Sequence, residues 1–321
     1  MHQVKWNDVD LGSRMKKILL VIDLIVAVCL AGCGGGGGGS ASSNQAPVAV
    51  VSKTITLFDT GSWTLNLPKL MTFSGNGLLT VAVQGGNRVD TFNVTTGNRV
   101  SSYSVNDPIG VAVKIDPVTG AASVYYAAGS GVYTDGGSSV VANVAGNYYG
   151  LAFLSSTEFY VGNISGLGSI VKYSSASINA QATITGFSGF PSALVAHNGF
   201  VYATLTDGNI AKINPANGTH TNVAWGAFDH PNGIAIDGDY AYVANNGPNN
   251  NGVGGYISRI KMSDGSNELF VSDTIGIWNT PTQGFCSPTG LAIYSGNLYV
   301  SNGTCASNDG NKNKILKIKL P

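Results

Sequence analysis

A Pro-x-Gly start, a short alternating apolar run, a tight turn and a Tyr-Val strand recur along most of this chain, and this repeat restricts the fold more than any other feature. The clearest copy runs His230-Pro-Asn-Gly-Ile-Ala-Ile-Asp-Gly-Asp-Tyr-Ala-Tyr-Val-Ala-Asn-Asn246. Pro231 fixes the start of a strand, Ile234-Ala-Ile alternates toward a core, Asp237-Gly-Asp supplies a turn, and Tyr240-Ala-Tyr-Val has the β-branched and aromatic character of a second strand. An isolated hairpin is marginal in water. The copies must therefore bury one another.

Further copies start at Pro108, Tyr149, Pro191 and Pro288, and a degenerate one at Pro68 carries Leu70 and Met71 where the others have small residues. The starts at 68, 108, 149, 191, 231 and 288 lie 40 to 42 residues apart until the last step of 57, which holds an insertion. That period is the one expected of four-stranded propeller blades. A third apolar strand with a basic residue follows each of several copies, as in Ile170-Val-Lys-Tyr173, Ile210-Ala-Lys-Ile213, Ile257-Ser-Arg-Ile260 and Ile315-Leu-Lys-Ile318. Turns at Thr96-Gly97, Asn217-Gly218 and Asp264-Gly265 introduce a fourth. The expected fold is all-β, a six-bladed β-propeller of four-stranded blades. Because the last copy ends at its third strand, the apolar stretch Val48–Leu57 is expected to supply the outer strand of that blade and close the ring.

Ahead of the repeats, Met15-Lys-Lys-Ile-Leu-Leu-Val-Ile opens a basic and then apolar segment that ends in Leu30-Ala-Gly-Cys33. Residues 1–32 read as a signal peptide, with 1–14 an upstream start because Met15 begins the better signal. Residues 33–46, rich in Gly and Ser, read as a tether and 47–321 as the propeller. Leu30-Ala31-Gly32-Cys33 resembles the lipobox of bacterial lipoproteins, which implies a lipid on Cys33. Gly34 in the next position implies sorting to the outer membrane, with the domain facing the periplasm or the surface. Beyond residue 32, 13 basic side chains stand against 14 acidic ones. Without a basic excess, the phosphate-neutralising attraction that drives nucleic-acid binding has no source.

The repeat also resembles the NHL repeat, with Pro-x-Gly, an alternating strand, a turn, Tyr-Val-Ala and a basic third strand over roughly residues 68–320. Where that pattern usually carries Asp after Tyr-Val-Ala, this chain has Asn163, Asn245 and Asn302. The resemblance implies a binding scaffold. More distantly, the architecture is similar to that of the gluconolactonase and senescence-marker type lactonases, which hold a divalent metal over the channel with one Glu, Asn and Asp residues.

In a closed ring the lead-in loops and the loops between second and third strands share one face. Asn163, His230, Asn232, Asn245, Asn246, Asn302, Tyr149 and Trp278 are therefore candidates to line a ligand-binding face. Amides and aromatics without net charge suit a neutral polar ligand such as a carbohydrate, or a protein partner. At Asn163, Asn245 and Asn302 the competing role is to cap a turn. His230 beside Asp229 is the candidate acid–base pair, set against the commoner role of a loop histidine in packing. No cofactor is expected, and the candidates for calcium or another divalent cation are Asp107, Asp229 and Asn245. The two glutamates, Glu158 and Glu268, fall away from that face, which leaves the lactonase glutamate without a counterpart.

Cys286 and Cys305 remain once Cys29 leaves with the signal and Cys33 is lipidated. Export and an even count predict a disulfide between two loops of the last copy. Buried free thiols or a two-sulfur metal site are the alternatives.

Overall fold

The computed structural model describes residues 53–58, 60, 62–129, 131–134, 140–143, 147–176, 180–247, 254–272, 277–279, 284–303 and 311–321. Six sheets, antiparallel except for one strand pair in the last, follow one another around a ring, and among the described residues no α-helix occurs. The first blade shows the plan: Pro68–Phe73 lies innermost, followed outward by Leu78–Val83, Arg88–Asn93 and Arg99–Ser104. Blades two to five repeat it from inner strands Pro108–Ile115, Tyr148–Phe153, Pro191–His197 and Pro231–Asp237. Tyr148 takes the place of proline in the third copy, since it pairs with Asn163 as Pro231 pairs with Asn245.

Successive side chains of a strand point to opposite faces of its sheet, so each blade divides its apolar residues between two neighbours. In blade three, Phe159 and Val161 pack with Tyr125 and Ala127 of blade two. Tyr160 and Ile170 pack instead with Leu194 and Val201 of blade four. Six such clusters fill the six junctions, and the one joining blade six to blade one contains Tyr299, Ile315, Leu79 and Val81. This mutual burial is what the single hairpin lacks.

The two signatures of the repeat have distinct structural causes. The third-strand base lies directly opposite a second-strand tyrosine in four blades, Lys172 on Tyr160, Lys212 on Tyr202, Arg259 on Tyr242 and Lys317 on Tyr299. In three of these pairs the lysine nitrogen stands 5.8–5.9 Å from the ring centroid, within cation–π reach; Lys172 is also ion-paired with Glu158, and Lys212 lies 3.9 Å over the Phe200 ring. The glycine has a steric cause. A Cβ on Gly233 would fall 2.3 Å from the Thr289 carbonyl oxygen of the next blade, and one on Gly290 would fall 2.4 Å from that of Lys69. The pairing register of every inner strand shifts at this point.

The ring closes as the sequence predicts, with one addition. Thr54–Leu57 pairs antiparallel with Lys314–Lys319, placing Ile55 opposite Ile318. The closing strand is not the outermost strand of its sheet, because Ile277–Asn279, from the insertion before the last copy, pairs parallel along its free edge. An edge left open is a template for association. Here the insertion covers it.

Candidate functional site

The residue after each leading proline, or after Tyr148, sits where its inner strand meets the central channel: Lys69, Ile109, Tyr149, Ser192, Asn232 and Thr289. Five of the six, all but Ile109, line a cavity of about 310 Å³ at the channel mouth, together with Phe190, Thr206 and Asn246 from neighbouring loops. Deeper along the channel, Met71–Phe73 and the matching segments of the other five blades enclose a second cavity of about 320 Å³. Between the two lies the layer Leu70, Gly110, Gly150, Ala193, Gly233 and Gly290. Leu70 is buried in the cluster of Ala193 and Ile234, from blades four and five across the ring. Its side chain thus crosses the axis and floors the mouth.

Lys69 is the one charged side chain lining that mouth among the described residues. Burial lowers its pKa from the ordinary lysine value, and the nearby Asp107 carboxylate opposes that shift. Burial raises the pKa of Tyr149, and Asp107 pushes it in the same direction. Asp107 stands outside the lining, exposed, with the Gln84 amide donating to it at 2.6 Å. Left-handed backbone shapes the rim at Leu67, Asp107, His230 and Ser287, each just before a leading proline.

A larger groove of about 820 Å³ runs between blades three and four on the same face. Its walls carry the hydroxyls of Ser165, Ser169, Thr183, Thr185 and Ser188, with Leu167 and Phe187 as apolar patches and Asp207 as an acid. Phe190 and Thr206 line both the groove and the mouth. The Phe190 N–H donates to the Thr206 hydroxyl at 3.0 Å and the Thr206 N–H to the Phe190 carbonyl at 3.0 Å, which fixes this shared wall. Phe190 remains 40% exposed.

Of the residues singled out in the sequence, Tyr149, Asn232 and Asn246 lie at the mouth. The three strand-end asparagines are buried beneath the loops. Asn245 Oδ1 accepts the Asp229 N–H at 3.1 Å and its amide donates to Ser258 Oγ at 3.1 Å. In the same position of the last blade, Asn302 Oδ1 accepts the Cys286 N–H at 2.6 Å and its amide donates to the Asn311 carbonyl. These two clip the lead-in loop of their own blade, whereas Asn163 accepts the Ser165 N–H and caps its own turn. Asp229 accepts the Tyr256 hydroxyl at 3.0 Å, and His230 Nδ1 lies 3.3 Å from the Gly247 carbonyl, so each member of the suggested acid–base pair has another partner. The strand carrying Trp278 lies at the outer edge of the last blade. Cys286 is buried, while Cys33 and Cys305 lie outside the described residues.

A calcium ion would need several carboxylates or carbonyls converging on one point. Among the described residues no group of three or more His, Cys, Asp and Glu side chains comes together. Asp107 and Asp229 sit on blades two and five, opposite each other in the ring, and Asn245 is committed to its loop. Glu158 is paired with Lys172 at 2.8 Å and Glu268 with Arg259 at 2.6 Å. The donor set at the mouth, an ammonium among hydroxyls and amides, does not fit a divalent cation.

Lys69, Ser192, Thr206 and Thr289 escaped the sequence reading. The signal for three of them was the variable position of Pro-x-Gly itself, which in a closed ring must face the channel mouth in every blade.

No protein-family model matches the chain, and no curated protein matches it. Among solved structures, a protein of unknown function from Bacteroides thetaiotaomicron superposes with a TM-score of 0.61 at 13% identity, covering 84% of this chain and 76% of that one. Regucalcin from Agrobacterium tumefaciens, a calcium-binding protein, superposes with a TM-score of 0.60 at 13% identity, covering 85% of this chain and 96% of that one. At such identity the likeness speaks for the fold alone, and it places this chain among the six-bladed β-propellers.

Proposed function

We propose that this chain is a binding module whose site is the channel mouth and the adjoining groove, and that its ligand is a carbohydrate. One observation carries the reading: a polar mouth and a largely apolar groove with hydroxyls along its walls meet at the exposed Phe190, so a sugar could stack its apolar face on the aromatic while its hydroxyls bond on either side. The lactonase alternative rests on the shared fold with regucalcin and needs a metal that these side chains do not fit.

The test is a panel of mono- and oligosaccharides against the purified domain, read by calorimetry. Binding that weakens about tenfold or more in Phe190→Ala and Asn232→Ala supports the reading. A silent panel, or metal-dependent hydrolysis of aldonolactones, overturns it.

The lipid anchor on Cys33 and an outer-membrane location are part of the same proposal, supported by the lipobox-like Leu30-Ala-Gly-Cys33. Among the described residues no helix is long and apolar enough to cross a membrane. A Cys33→Ala form that still fractionates with membranes would count against the anchor, since stable attachment needs several acyl chains.

A further inference from the structure

We infer that the sugar held at the channel mouth is an acidic one, whose carboxylate pairs with Lys69. The inference rests on the carbohydrate reading above and specifies the part of the ligand that reaches the axis. Lys69 is the single charged group in the lining among the described residues, and the lining contains no carboxylate. Around it stand Ser192, Thr206 and Asn232, each able to donate a hydrogen bond to an oxyanion, and Thr289, whose hydroxyl donates to the Ser287 carbonyl at 2.9 Å. Ser192 and Thr289 are buried at 5% and 6% exposure, so they form a wall rather than a loose fringe.

An ammonium in such a place is costly unless it is paired. Asp107 acts on it from the rim but is exposed and holds the Gln84 amide at 2.6 Å, so it is a competitor of modest strength. A ligand carboxylate entering the mouth would meet the Lys69 charge in a less polar setting than water, and hydroxyl donors would satisfy its remaining lone pairs. The floor formed by Leu70 limits depth, so the acid must be a terminal or side group and not the middle of a stiff chain. The rest of an oligosaccharide would leave past Phe190 into the groove, whose lining has hydroxyls and one acid, Asp207. That polarity sets the direction: the anionic group goes to Lys69 and neutral sugar goes to the groove.

The pH dependence has a definite sign. Capture requires the protonated amine, and burial lowers the Lys69 pKa. Affinity should fall as pH rises, beginning below the range in which an exposed lysine titrates. The other titratable groups facing the mouth are the Asp107 carboxylate, which opposes the lowering of the Lys69 pKa, and Tyr149, whose own pKa burial raises. The fall is therefore assigned to Lys69.

The experiment compares hexuronates with their neutral hexose counterparts, as monomers and as oligomers of matched length, by calorimetry on the intact domain. The acidic member should bind about tenfold or more tightly, its affinity should fall with added salt, Lys69→Gln should erase the preference, and Lys69→Arg should keep part of it. Asp107→Asn should strengthen binding of the acid. Melting temperatures of the variants show whether each is folded, and the Lys69 side chain can change without touching its carbonyl, the group that blade six uses. Equal binding of acidic and neutral sugars, or a preference that survives Lys69→Gln, overturns the inference and leaves the carbohydrate reading standing. No binding of any sugar overturns both, and capture of a glutamate-rich peptide in place of uronates would transfer the site to a protein partner.

Discussion

The Ser301 hydroxyl donates to the Lys69 carbonyl at 2.7 Å and accepts the Gly290 N–H at 2.6 Å, so one side chain joins the last blade to the first. Thr204 does the same between blades four and five, accepting the Ala193 N–H at 3.0 Å and donating to the Asn232 carbonyl at 2.8 Å. Each hydroxyl serves backbone groups displaced by the shift of register in an inner strand. Ser301→Ala would leave a buried donor and acceptor without this partner, at a cost of about 1–3 kcal/mol. Urea unfolding should show that loss, and Ser301→Thr should recover part of it.

The layer of small residues makes an opposite demand. Gly233→Ala would drive a methyl group against the Thr289 carbonyl and should destabilise by about 1–3 kcal/mol, because the contact is with backbone of another blade. Gly238, in the turn of the same hairpin, has φ 56° and open space around it. Gly238→Ala should cost about 1 kcal/mol from conformation alone. Thermal melts of the two variants side by side separate the causes.

Removing residues 1–46 should leave the melting temperature unchanged, whereas removal through residue 58 should lower it sharply. The second deletion takes away Ile55 and Phe58, both buried, worth about 1.5–3 kcal/mol each. It also uncovers the edge of Lys314–Lys319 and leaves Ile277–Asn279 without its partner strand. Equal effects of the two deletions would contradict the closure.

Pairing of Cys286 with Cys305 would close a loop of 19 positions and restrict the unfolded chain by about 3 kcal/mol. The mature, non-reduced domain should then gain two mass units on reduction and show no alkylatable thiol before it. Cys286→Ser should lower the melting temperature only under oxidising conditions, since its backbone N–H, the group bound by Asn302, is retained.

Alkaline pH should weaken the fold in part through Tyr256. Burial and the hydrogen bond to Asp229 push its pKa up to about 12, above the value of about 10 in an unfolded chain. The folded state holds this proton more tightly, so its contribution is whole below pH 10 and is lost as pH rises toward 12. Tyr149, Tyr160, Tyr202, Tyr242 and Tyr299 shift in the same direction. Tyr256→Phe should flatten the alkaline decline by its own share only, as read from melting temperatures between pH 9 and 12.

Blade number, strand order and closure were legible because they rest on a repeated local cause: alternation in each strand, a proline at its start and a glycine where backbones meet. The covering strand Ile277–Asn279 was not, since three residues inside an insertion carry no periodic signal. At the site, the strand-end asparagines drew attention because amides are conspicuous in a β sequence. Whether Asn245 faces a ligand or clips Asp229 depends on where a lead-in loop 16 residues away returns, and no spacing rule gives that. Lys69 was hidden for the opposite reason, inside the copy whose pattern is most eroded.

That eroded copy also sets the traffic of the molecule. With glycine at position 70, as in four of its counterparts, the ring would be a tube open at both ends; with Leu70 across the axis it is a cup. A molecule in a cup arrives and departs by one route, so whatever rests on the Phe190 lip governs escape as well as access. Release is then tied to the neighbouring groove: an occupant long enough to fill both compartments shuts the door behind its own terminal group.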